Sequence, residues 1–98
     1  MELTLINSDK KAIIDAKNWT RVSKYSWYLK KVNPQAFYVA TSIRQDGKNR
    51  TVYLHRFIMN AEPGMDVHHK NRDPLDNQEE NLEERRSLEH RCWHLANI

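Results

Sequence analysis

The sequence predicts an α+β fold: an antiparallel, strand-rich part over residues 1–54, then a shorter mixed region over 55–98, in one domain of 98 residues. Three observations carry this prediction. Period-two alternation runs through Phe37–Ile43 and resumes in Arg50–Leu54, across the turn-forming pair Asp46-Gly47. Two short apolar pieces, Leu3–Ile6 and Ala12–Ile14, flank Asn7-Ser8-Asp9-Lys10, a good hairpin turn. Residues of good helix propensity gather toward the end, over Glu79–Leu95.

Taken in order, the hairpin pieces come first. Trp19–Tyr25 suits a helical turn or a loop equally, because its periodicity does not separate the two. Trp27–Val32 reads as a strand ended by Asn33-Pro34. Phe37, Val39, Thr41 and Ile43 then alternate against Tyr38, Ala40 and Ser42, and Val52 and Leu54 continue one face, so residues 27–54 form an antiparallel meander. His55–Asn60 predicts a short helix stopped by Glu62-Pro63-Gly64. Met65–His69 is β-prone, and Lys70–Gln78, with Pro74 and several Asn and Asp, is a loop. Within Glu79–Leu95 the apolar stripe starts only at Leu88, and Ser87 is a good N-cap, so a break before Ser87 is expected.

Composition narrows the function classes. No apolar run approaches the roughly 20 residues of a membrane helix, and the first residues form no signal peptide, so an intracellular protein with no membrane partner is expected. The single cysteine, Cys92, excludes an internal disulfide and any zinc site built on paired cysteines. Residues 1–60 hold 11 Lys/Arg against 4 Asp/Glu, while residues 61–98 hold 5 against 9. A basic first part with interleaved aromatics suits a polyanion, since cations release counterions and rings stack on bases. Lys30 and Lys31, at a strand end, are the candidate grip there.

Four of the five histidines fall in the acidic part, and two are adjacent: His68 and His69. Successive strand side chains point to opposite faces, so the two would not ligate one metal together, and a site using both would give them different tasks, one facing a metal and the other the substrate. Taken alone, the pair reads better as two unrelated surface histidines than as a site. Asn81 follows His69 by 12 positions and His90 follows Asn81 by 9. On one continuous helix nine residues would turn Asn81 and His90 to opposite sides, so a change of backbone between them is needed for both to face one cleft.

This ordered His-His, Asn, His set resembles the HNH endonucleases of the small phage and mobile-intron type, with the further words Leu54-His55-Arg56-Phe57-Ile58-Met59, Leu75-Asp76-Asn77 and Glu80-Asn81-Leu82. The similarity spans Leu54 to about Ala96, with a looser likeness at Trp19, Lys24-Tyr25 and Trp27. It implies a ββα-metal finger over 55–98, with strands near Asp66–His69 and Leu82–Arg86 and a helix from Ser87. Glu83-Glu84-Arg85-Arg86 departs from the apolar residues usual in that second strand.

The resemblance further implies a nuclease that hydrolyses DNA to 5′-phosphate and 3′-hydroxyl ends. His69 would be the general base and Asn81 the group that pins the loop and orients it. His68 and His90 would hold one divalent ion, Mg²⁺ or Mn²⁺, with Ni²⁺, Co²⁺ and Zn²⁺ also suited to nitrogen ligands. Many relatives carry Asp where His68 stands, and its loss here weakens the case for Mg²⁺. His55, Arg56, Arg85 and Arg86 are further candidate DNA contacts, each with a local packing or ion-pair role as the alternative. DNA is the expected partner and a homodimer is compatible with so small a chain; the rival function is a non-catalytic DNA-binding module that keeps the finger as a scaffold.

Overall fold

The structure, a computed structural model, describes residues 1–86. It is an α+β arrangement of three small antiparallel sheets around two short helices. Strands β1 (Glu2–Thr4) and β2 (Lys11–Ile13) form the first hairpin, and a 3-10 turn at Ala16–Asn18 leads into helix α1 (Trp19–Val22). Strands β3 (Tyr28–Asn33), β4 (Ala36–Gln45) and β5 (Lys48–Tyr53) form the meander in that spatial order. Helix α2 (Leu54–Met59) follows at once, and β6 (Met65–His69) pairs with β7 (Leu82–Arg86).

Local chemistry explains the corners. Asp46 and Gly47 both have positive φ, 53° and 76°, the pair of left-handed residues that a two-residue hairpin turn matching strand twist requires. Helix α2 ends where Asn60 takes φ 51°, and the Asn60 and Ala61 N–H groups donate to carbonyls of the last turn. The ambiguous stretch after Ala16 resolves as helix because Trp19 and Val22 turn onto the core, and Val22 is fully buried.

One apolar cluster draws on nearly every element: Leu3, Leu5, Ala12 and Ile14 from the hairpin, then Val22, Trp27, Val39, Leu54, Ile58, Val67 and Leu82. Trp27 is its centre, 1% exposed, with its indole N–H donating to the Val22 carbonyl at 2.7 Å. Truncating such a residue costs about 3–5 kcal/mol. A two-stranded ribbon is marginal alone, so β1–β2 and β6–β7 depend on this shared packing.

The segment after Glu79 corrects the helical reading of its residues. Among the described residues of that segment, Glu79–Asn81 makes a single 3-10 turn and Leu82–Arg86 is a strand, at the bounds the resemblance implied. Pairing overrides propensity here: Leu82 is buried, while Glu83 sits opposite His68 and Arg85 opposite Asp66, charge-complementary positions that suit a strand open to water on its other side. Residues from Ser87 on, and with them the expected finger helix, lie outside the described residues.

Candidate functional site

Strand β6 delivers both histidines to one place. Val67 is buried, His68 is exposed and His69 is half-buried, the alternation expected of a strand end. The His69 ring lies 6.1 Å from that of Tyr38 with the planes 19° apart, and 5.0 Å from that of His55. Tyr38 in turn stacks on His55 at 5.2 Å, and Tyr53 closes the group at 5.8 Å from Tyr38. Strand β4, the start of α2 and the end of β6 therefore meet through a cluster of rings.

The free edge of His69 is fixed by Asn77. Its Nε2 lies 2.9 Å from Asn77 Oδ1, and Asn77 Nδ2 donates to the Pro74 carbonyl at 3.1 Å. The second bond decides the first: with its amino group turned to Pro74, the amide presents oxygen to the imidazole, so Nε2 carries the proton and donates. Nδ1 is left with its lone pair, and it has no hydrogen-bond partner among the described residues. Asn77 is 1% exposed and has no freedom to turn away.

Asn81, the residue whose spacing first marked the region, ties the loop instead. Its Oδ1 accepts from the Asn71 backbone N–H at 3.1 Å, and its Nδ2 donates to Asn71 Oδ1 at 3.0 Å and to the Asp76 carbonyl at 2.8 Å. It makes no hydrogen bond to His69; the orienting contact belongs to Asn77. The sequence held a signal for it, since Asn77 closes the word Leu75-Asp76-Asn77, but nothing in spacing said which Asn would reach the imidazole. Tyr38 carried no signal beyond its place in an alternating strand.

Both histidines line a cleft of about 350 Å³, together with Phe37, Tyr38, Arg72 and Pro74. His68 is exposed, with no hydrogen-bond partner among the described residues. An exposed neutral imidazole is a suitable ligand for a borderline divalent ion. Among the described residues no three His, Cys, Asp or Glu side chains cluster, and His90, the other expected ligand, lies outside the described residues.

The other candidates are dispersed. His55 is 8% exposed inside the ring cluster, and burial pushes it down from 6.5 to about 3, with electrostatic repulsion from His69, Arg56 and His68 acting the same way. It stays neutral beside His69. The Arg56 guanidinium donates to the Met65 carbonyl and to that of Glu62 at 3.1 Å, tying α2 to β6. Any phosphate contact by this pair would compete with that packing and those bonds. Arg85 pairs with Glu83 on its own strand at 3.4 Å. Arg86 is placed only through its backbone, opposite Met65. Lys30 and Lys31 lie on opposite faces of β3: Lys30 is opposite Tyr38 and Lys31 opposite Phe37.

Comparison with known proteins gives one match. Residues 52–91 fit the family model described as HNH endonuclease. No curated protein and no solved structure matches the chain. Among the described residues no helix is long and apolar enough to cross a membrane.

Proposed function

We propose that this chain, whose residues 52–91 fit the HNH endonuclease family model, hydrolyses DNA phosphodiester bonds, with His69 as general base at the cleft beneath Tyr38. The observation that supports this reading most is the chain of contacts from the Pro74 carbonyl through Asn77 to His69 Nε2. It holds the imidazole in the tautomer a base needs, with unprotonated Nδ1 available to a water at the cleft.

In the reaction Nδ1 takes a proton from that water as its oxygen attacks phosphorus. The bond to the 3′ oxygen breaks, that oxygen takes a proton from solvent, and His69 returns its proton to solvent, leaving a 5′-phosphate and a 3′-hydroxyl. The rings of Tyr38 and His55 keep the imidazole plane fixed, and Asn77 shares the positive charge it acquires. His55, held neutral, adds no like charge beside it. His68 and His90 are the residues that would hold a divalent ion. When bound, the ion supplies Lewis-acid stabilisation of phosphate charge and of the leaving oxygen. Residues 55–98 would then form the ββα finger, with β6 and β7 as its strands, and residues 1–54 the basic grip.

Nicking of supercoiled plasmid is the test, in Mg²⁺, Mn²⁺, Ni²⁺ or Co²⁺ and in EDTA. Cleavage with metal that falls roughly 10²–10⁴-fold in His69→Ala is the expected result. Full-rate cleavage by the variant at pH 7 would remove His69 as base. DNA binding without cleavage in any of the four ions would leave a binding module.

A further inference from the structure

Beyond the cleft, the meander continues as a two-stranded arm. Strand β3 pairs only with the Ala36–Ala40 part of β4, whereas Thr41–Gln45 pair with β5 alone among the described residues. The ribbon past that point is open to water: Ser42, Arg44 and every residue from Gln45 to Thr51 are exposed. It carries Arg44, Lys48 and Arg50 against the single acid Asp46.

The register assigns its faces. Ser42 is opposite Thr51 and Arg44 opposite Asn49, and these four share one face. Ile43 with Arg50 and Gln45 with Lys48 make the other, where Arg50 donates to Gln45 Oε1 at 3.1 Å. The first face holds donors and acceptors without a carboxylate, and none of the four side chains has a hydrogen-bond partner among the described residues. The regular alternation of β4 puts Ser42 and Arg44 on the same face as Tyr38, the ring stacked on His69. Along a strand, Ser42 is about 14 Å and Arg44 about 20 Å from Tyr38. At about 3.4 Å per base pair these distances correspond to about four and six base pairs.

We propose that the β4–β5 ribbon is a sequence-reading arm that enters the major groove of duplex DNA with Ser42, Arg44, Asn49 and Thr51 facing the bases, about four to six base pairs to one side of the bond cut at His69. The major groove admits a two-stranded ribbon, and Arg and Asn are the side chains that read guanine and adenine edges with paired hydrogen bonds. The surplus of positive charge matches the flanking phosphates. This inference rests on the nuclease reading and deepens it.

The test uses the full chain and its R44K/N49A variant, which keeps the net charge. Duplexes randomised for ten positions on each side of a cut site are cleaved and the cut ends sequenced. The expected parent shows base preference about four to six pairs to one side of the cut, and the variant loses roughly 10–100-fold of discrimination there. A parent without preference at those positions, or a variant with the parent's profile, overturns the proposal. So does a variant whose affinity drops equally for all sequences. If no metal supports cleavage, the nuclease reading fails separately, and methylation protection of guanine N7 in EDTA still tests the arm. Protection lost in the variant supports major-groove reading, and protection retained or never present overturns it.

Discussion

The buried His55 gives a stability prediction whose sign and size follow from its surroundings. The folded protein holds this imidazole neutral down to about pH 3, chiefly by burial, while the unfolded chain protonates it near 6.5. Between those values the unfolded state binds the extra proton, so stability from this group is complete above about pH 6.5 and is lost as pH falls toward 3. At about 1.36 kcal/mol per unit, the loss between pH 7 and pH 5 is roughly 2 kcal/mol, against a whole-domain stability on the order of 5–15 kcal/mol. His55→Phe keeps a ring against Tyr38 and removes the proton site. Urea unfolding followed by tryptophan fluorescence, in EDTA at pH 7 and pH 5, is the assay. The parent should lose about 2 kcal/mol more than the variant over that interval, whatever their offset at pH 7. The interval also isolates the effect: Glu79, held below its usual value first by its bond from Asn18, loses its contribution only as pH falls below about 4.5. Parallel pH dependence in the two proteins would refute the reasoning.

Asn77→Ala should lower kcat about 10–100-fold by freeing His69 to rotate and change tautomer, a loss that nicking rates at saturating DNA would reveal and that an unchanged kcat would contradict. Asn81→Ala removes three hydrogen bonds from the loop and should cost about 3 kcal/mol of unfolding free energy by urea titration; a change under about 0.5 kcal/mol would mean the loop does not need it. Lys30 shares its strand face with Tyr38 and Lys31 does not, so Lys30→Ala should lower the slope of log affinity against log salt by about 0.9 and Lys31→Ala by less. Equal changes in filter binding would show that face does not matter.

Much of the strand order was legible because alternation and turn chemistry are local signals. Phe37–Ile43, Asp46-Gly47 and Arg50–Leu54 specify a hairpin by themselves, and β3–β4–β5 follows. The strand Leu82–Arg86 was not legible from its own residues, since Glu-Glu-Arg-Arg reads as helix or surface. Its pairing with β6 decides, and that is a contact between residues far apart in sequence. The family resemblance placed it where composition did not. The histidine pair was visible as chemistry, but the division between them depends on Tyr38, His55 and Asn77, which arrive from three separate segments. No local pattern encodes such a meeting.

The acidic character of the site region, set against a phosphate substrate, has a structural explanation in the loop. Asn71 Oδ1 accepts from the Asp73 N–H, Asp73 Oδ1 from the Leu75 N–H and Asp76 Oδ1 from the Gln78 N–H, each two residues on. These side chains close successive turns and satisfy backbone donors that no sheet or helix covers. The first hairpin then clamps the result from outside: Ile13 donates to the Leu75 carbonyl at 2.7 Å and accepts from the Asn77 N–H at 2.8 Å, while Asp15 accepts from the Glu79 N–H. Fixing a free loop residue costs about 1–2 kcal/mol, and bonds from both sides offset that cost along residues 71–79. The loop that carries Asn77 is thus held by the very start of the chain. The basic first part and the acidic second part are therefore coupled mechanically, because the hairpin of the one fixes the residue that holds the His69 ring in the other.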